Sequence, residues 1–339
     1  MTTLHKADSL IQPSFSPDGQ AIVAVEDRKT LVVLDLNGKR TELGAGSMPS
    51  WHGNDTIAFV RDHEVWTVKK DGSGAKKLYG RNAGFEASHK GPVLGTADAS
   101  IMLVVMRDVS REKTQWVPAN AYPTKHFYGI GEGSTLRPIN STFFGGKASW
   151  LKDNTLFAHH EFDATGGARV HVTDLQGEDQ QVFRGYFPKV NADADAILTV
   201  AHDFKSVQIT SVPENETRNL ELPKDLAGER FNNPAFWVDD ETVLIEAKGT
   251  IVELGLGKGA KPIRRAKIDI ARRGMPTMDV SADHEHAVYE RSAGDGKHEL
   301  VLVKLADWRK DTLPEPKPES DAGANESEAD AKATEGAEA

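Results

Sequence analysis

Short apolar runs separated by polar turns follow one another along most of this chain, and the alternation recurs at long intervals. Pro13-Ser14-Phe15-Ser16-Pro17-Asp18-Gly19 leads into Ala21-Ile22-Val23-Ala24-Val25, and Pro49-Ser50-Trp51-His52-Gly53-Asn54-Asp55 leads into Thr56-Ile57-Ala58-Phe59-Val60. The same grammar is a large apolar residue, an Asp three or four positions later, then a β-rich run. It returns at Leu94/Asp98, Trp150/Asp153, Val190/Asp193, Phe236/Asp239 and Val280/Asp283. The anchors near 15, 51, 94, 150, 190, 236 and 280 are spaced by 36, 43, 56, 40, 46 and 44 residues. A four-stranded propeller blade occupies roughly 40–50 residues. The aspartates read as turn residues first, because a carboxylate caps turn amides and a following Gly permits positive φ.

The remaining strands of each unit fit the same frame. Alternation predicts third strands at Leu31–Asp35, Glu64–Val68, Arg169–Thr173, Val207–Thr210, Ile251–Leu254 and Leu300–Lys304, with short fourth strands near Thr41–Leu43 and Lys76–Leu78. One such sheet cannot cover both of its faces, whereas a ring of them can. The expected fold is therefore all-β, a seven-bladed β-propeller over residues 1–313, with six blades as the alternative. Thr2-Thr3-Leu4-His5 and Asp311-Thr312-Leu313 compete to supply the outer strand of the last blade.

Phe15-Ser16-Pro17-Asp18-Gly19, its Trp51 counterpart and Trp150-Leu151-Lys152-Asp153 resemble the repeat of TolB-type β-propellers, which is related to the propeller of prolyl-oligopeptidase-like enzymes. The resemblance covers about residues 13–305 and implies a propeller. A TolB protein would also have a secretory signal, an α/β domain ahead of the repeats, six blades and a lipoprotein partner. Here the repeats start at Pro13 and number seven. The peptidase relatives need a G-x-S-x-G elbow, and no serine of this chain has glycines at both −2 and +2.

Composition narrows the chemistry. The chain of 339 residues has no cysteine, which removes thiol catalysis, cysteine-ligated zinc and disulfides. A formal charge of −10 argues against a nucleic-acid backbone as the main partner. Residues 314–339 hold eight acids, two lysines and no Val, Ile, Leu, Phe or Met, so this acidic tail is expected to be disordered. No stretch is apolar enough to span a membrane. The absence of an export signal places the chain as written in the cytoplasm, or in the periplasm or outside the cell if a leader has been removed.

Two segments stand out as partner-binding candidates. Met106–Ser149 is rich in aromatics and carries a net +3, with Trp116, Tyr122, His126, Phe127, Tyr128 and Arg137 as its candidate contacts. Aromatics with Arg are the composition of protein interfaces, although blade 3 must also find its third and fourth strands in this segment. Lys258–Arg273 carries a net +6 and offers Arg264, Arg265, Arg272 and Arg273, either to steer an acidic partner or to guard an outer strand edge. Gly255-Leu256-Gly257-Lys258-Gly259 lacks the Ser or Thr of a phosphate loop.

Metal ligation has weak signals. His159 and His160 alternate to opposite faces of a strand. In Asp283-His284-Glu285-His286 the two histidines share a side without an evident third ligand, and Asn191-Ala192-Asp193-Ala194-Asp195 lacks the Gly and final acid of a calcium loop. No cofactor, metal or catalytic residue is assigned. The reading is a non-enzymatic scaffold that binds a protein through one rim. The alternatives are a hydrolase or small-ligand binder with a metal in the central channel, and a virion or surface-assembly component.

Overall fold

A computed structural model describes residues 1–81, 84–88, 93–109, 126–139, 148–151, 154–162, 168–201, 203, 205–220, 234–247, 249–257, 263–268, 278–308 and 310. The acidic tail lies outside them. Seven antiparallel sheets succeed one another along the chain, and the six-bladed alternative falls. Blade 1 is Leu10–Phe15, Ala21–Glu26, Thr30–Asp35 and Arg40–Ala45, and blade 2 is Ser47–His52, Thr56–Arg61, Glu64–Lys69 and Lys76–Tyr79. In blade 3 the first strand is split into Phe85–Ala87 and Val93–Gly95, both paired to Ile101–Asp108, and His126–Glu132 and Thr135–Pro138 follow. Blade 4 is Ala148–Trp150, Leu156–Phe162, Ala168–Asp174 and Asp179–Arg184. Blade 5 is Tyr186–Val190, Ala196–Val200, Val207–Ser211 and Thr217–Asn219; blade 6 is Phe236–Asp239, Thr242–Ala247, Thr250–Gly255 and Ile263–Lys267. Blade 7 takes Met278–Val280, His286–Ser292 and His298–Lys304 from the end of the chain and Thr2–Ala7 from its start.

The N-terminal strand therefore closes the ring, pairing from Thr2↔Leu302 to Ala7↔His298. Leu4 and Ala7 are buried there with Leu10, Leu300 and Leu302. Asp311-Thr312-Leu313, the competitor for that place, lies outside the described residues.

Strand periodicity then builds the core. Successive side chains point to opposite faces, so each strand feeds two interfaces. In the second strand of blade 6, Val243 and Ile245 pack with blade 5, whereas Leu244 packs with blade 7. The apolar interior is accordingly divided into seven clusters, one at each junction of neighbouring blades.

The first strands line the centre of the ring and are tied directly to one another. The indole Nε1 of Trp51 donates to the carbonyl of Ser14 at 2.9 Å, that of Trp150 to Leu94 at 3.1 Å, and that of Trp237 to Lys189 at 2.9 Å. Each bond reaches back one blade. Where no Trp is present, the amide of Phe15 donates to Asp279 Oδ2 and the amide of Val190 to Ser149 Oγ. Between blades 2 and 3 the backbones approach so closely that a Cβ on Gly95 would lie 2.5 Å from the Trp51 carbonyl oxygen.

The turn between the first two strands is built the same way in five blades. The amide of the first turn residue donates to the carbonyl five positions on, at Ser16/Ala21, Thr96/Ile101, Leu151/Leu156, Asn191/Ala196 and Ser281/His286. The fourth residue takes a left-handed conformation: Gly19, Ala99, Asn154, Ala194 and His284 have φ between 55° and 69°. The conserved geometry explains the aspartates as turn formers. Ser16, Thr96 and Ser281 each donate a hydroxyl to the Asp two residues on, at 2.5–2.6 Å. At Asp98 the Thr96 and Ser100 hydroxyls and the Ser100 amide hold the carboxyl down at about 2. Asp153 is outside the described residues, and Asp239 ends its strand beside a tighter turn at Asp240-Glu241.

A short helix, Leu305–Trp308, locks blade 6 to blade 7. Arg265, on the outer strand of blade 6, is only 2% exposed. Its Nε donates to Glu253 at 2.9 Å and its guanidinium to the Trp308 carbonyl at 3.0 Å, while the Trp308 indole donates back to the Arg265 carbonyl at 3.1 Å. The Trp308 ring stacks on Tyr289 at 5.6 Å.

Removal of residues 1–7 is expected to lower the melting temperature by about 5–10 °C in a thermal unfolding scan, because it uncovers the edge of blade 7 and the apolar seam beneath it. Arg265→Ala leaves the buried Glu253 carboxylate without its guanidinium and is expected to cost about 3–5 kcal/mol in urea unfolding, whereas Arg137→Ala, on a partly exposed strand, should stay within about 0.5 kcal/mol. Because the folded pKa of Asp98 is depressed, its contribution to stability is present above the unfolded value and is lost as pH falls toward 2. A carboxyl NMR titration should show a midpoint near 2, rising toward the ordinary Asp value in Thr96→Val.

Candidate functional site

Antiparallel pairing within each blade sorts the connections onto two rims. Turns joining the first to the second strand and the third to the fourth fall on one rim. Those joining the second to the third, and each blade to the next, fall on the other.

Among the described residues, the first rim is acidic. Its described turns present Asp18, Asp55, Asp71, Asp98, Glu178, Asp193, Asp195, Glu214, Glu216, Asp240, Glu241, Asp283 and Glu285 against Lys39 and Lys70. Much of this charge serves the turns themselves, as at Asp18, Asp98 and Asp283. A groove of about 370 Å³ opens here between blades 2 and 3, lined in part by His52, Lys76, Tyr79 and Ser100. Burial pushes the His52 imidazole down, with Asp98 opposing, and pushes the Tyr79 phenol up. Gly131 also lines it, beside the Tyr79 ring, where a Cβ would come within 2.7 Å of the aromatic carbons.

Among the described residues, the second rim is balanced. Its described turns set Arg28, Lys29, Arg81, Lys205 and Lys297 against Asp8, Asp27, Asp62, Asp203 and Asp295. The connection that carries Trp116 and Tyr122 leaves from the second strand of blade 3 and returns to its third, and the one carrying Arg272 and Arg273 runs from the outer strand of blade 6 to blade 7. Both therefore begin and end on this rim. Those four residues themselves lie outside the described residues.

The other residues expected at a partner surface are distributed differently. His126 and Arg264 belong to the third strand of blade 3 and the outer strand of blade 6, and their side chains lie outside the described set. Arg137 sits partly exposed on the outer strand of blade 3. Phe127 and Tyr128 are interior. Phe127 meets Phe85 edge-on at 4.9 Å, and Tyr128, fully buried, packs on Phe157 at 5.7 Å and His159 at 4.9 Å. Blade 3 uses this stretch as its third strand, so alternation drives these rings into the junctions with blades 2 and 4. Burial takes Phe127, Tyr128 and Arg265 out of any docking surface.

The histidines separate as alternation requires. His159 faces Tyr128, Phe157 and His171 and bonds Thr173 at 2.9 Å, whereas His160 faces Tyr186 and Phe187. Burial, then the neighbouring His171 and His160, holds the His159 imidazole well below its usual range. The Asn191 segment is a turn whose side-chain oxygen accepts from the amides of Asp195 and Ala196. In Asp283-His284-Glu285-His286, the left-handed His284 breaks the alternation on which pairing of the two histidines depended. The side chains that converge there are Asp283, Glu285 and His286. The signal lay in the turn grammar, whose fourth position is left-handed in every well-formed copy.

No helix among the described residues is long and apolar enough to cross a membrane. No family model and no curated protein matches the chain. Among solved structures it is similar to an oligogalacturonate lyase in complex with manganese, at 14% identity over 91% of this chain and 93% of that one, with a TM-score of 0.66. An oligogalacturonate lyase from Vibrio parahaemolyticus matches at 9% identity, covering 88% and 92%, with a TM-score of 0.61. The β-propeller domain of Cps50 (Swd1) from Myceliophteria thermophila matches at 11% identity, covering 90% and 100%, with a TM-score of 0.59. These likenesses are likenesses of fold: the chain is a seven-bladed β-propeller.

Proposed function

We propose that this propeller is a non-enzymatic scaffold that holds a protein partner on its charge-balanced rim. The observation that carries the reading is the difference between the rims. Protein interfaces are depleted of Asp and Glu at their centre and enriched in aromatics and Arg. One rim is lined with carboxylates, many of them engaged by their own turns, and suits solvent. The opposite rim is where the connections bearing Trp116, Tyr122, Arg272 and Arg273 enter and leave. Trp, Tyr and Arg are the residue types that dominate binding energy when a partner desolvates them.

The reading is tested by quantitative affinity capture from the native host with three forms of the chain, each first shown to melt like the parent. Replacing Trp116, Tyr122, Arg272 and Arg273 together by Ala is expected to lower recovery of a specific partner at least tenfold. Replacing Asp240 and Glu241 by Ala, on the acidic rim, is expected to leave recovery unchanged. Equal recovery with the fourfold variant, or loss confined to the acidic-rim variant, overturns the assignment.

A further inference from the structure

The first turn of blade 7 departs from its counterparts in a way the fold does not require. The five equivalent turns share one backbone geometry, and their last two positions are Gln20-Ala21, Ser100-Ile101, Thr155-Leu156, Asp195-Ala196 and Glu285-His286. Four blades place an aliphatic residue at the final position. Blade 7 alone among these places an imidazole there, 8% exposed, and its Nδ1 is buried without a hydrogen-bond partner. A buried polar atom left unsatisfied is destabilising unless something binds it.

The turn brings candidate co-ligands to that imidazole. One carboxylate oxygen of Asp283, one of Glu285 and one ring nitrogen of His286 all lie within 4.8 Å of one another. The Ser281 hydroxyl and the Glu285 amide fix Asp283 through Oδ1, at 2.5 and 3.0 Å. Its other oxygen, Oδ2, faces the first turn of blade 1, where a Cβ on Gly19 would lie 3.0 Å away. Asp283 and Glu285 are both exposed, Asp283 being held through Oδ1 with Oδ2 outside those bonds, whereas the imidazole is buried.

We propose that Asp283, Glu285 and His286 form a divalent-cation site at the seam between blades 7 and 1, suited to zinc. Donors about 2.0–2.2 Å from a tetrahedral ion stand about 3.4 Å apart, a closure that rotation of the exposed Glu285 side chain and a small shift at Asp283 supply. One imidazole and two carboxylates form a mixed nitrogen and oxygen set of the kind zinc accepts; calcium and magnesium call for more oxygen ligands. Three protein ligands leave a fourth position for water on the acidic rim. This site lies opposite the proposed docking rim and stands independently of it.

The test is isothermal titration of the chelator-treated full chain with zinc chloride, repeated with Glu285→Gln and His286→Ala. Alanine is the residue that blades 1 and 5 carry at the equivalent position, so the second variant retains an accepted turn. The expected result is one ion per chain, an affinity lowered at least tenfold by either substitution, and a melting temperature raised by zinc only in the parent. Other His–carboxylate pairs, such as His171–Asp179 and His298–Glu290, would bind zinc equally in all three forms. No saturable binding, affinity unchanged in both variants, or a preference for calcium or magnesium overturns the proposal.

Discussion

Every sheet of this protein is apolar on both faces, and neither face can be left to water. A sheet of four short strands buries too little by itself, so each blade is stable only between two neighbours. The seven inter-blade clusters are the direct expression of that requirement, with alternate residues of one strand serving different clusters. A row of such sheets would still end in two naked faces. Closing the row into a ring removes both, and blade 7 is completed by a strand from the other end of the chain. The tryptophan bonds between first strands serve the same end at the centre, where backbone groups face the ring interior instead of another strand.

Once the ring is fixed, connectivity decides where chemistry can vary. Five of the turns on one rim share a single geometry, and side chains in them are occupied in holding the reversal. That rim tolerates carboxylates because turn amides and hydroxyls solvate them, which is why Asp98 titrates so low. The other rim has no such template. Its connections are of unequal length, and those that carry Trp116, Tyr122, Arg272 and Arg273 start and end there. Which connections share a rim follows from strand direction alone.

Within the stereotyped rim, departures from the template carry information. A backbone shared by five turns needs no histidine at its last position, and four of them do without one. His286 and its two carboxylate neighbours are therefore set apart by comparison with the protein's own repeats. Arg265 teaches the converse. Its charge marks it as a surface residue, yet it lies inside because Glu253 and the Trp308 carbonyl replace the water it gives up.

The sequence by itself determined that the chain is a propeller of repeated β-units whose aspartates form turns, and it favoured seven blades with six left open until the sheets decided. These depend on local periodicity and turn chemistry, which are written in consecutive residues at Phe15, Trp51, Trp150 and their counterparts. Only the tertiary structure decided which strand closes the ring, because that choice pits Thr2–Ala7 against distant residues for one edge. It likewise decided that Tyr128 and Arg265 are interior, since burial depends on the blade packed opposite. The convergence of Asp283, Glu285 and His286 was hidden for a related reason. One left-handed residue, His284, rotates the chain, and period-two reasoning does not extend across it.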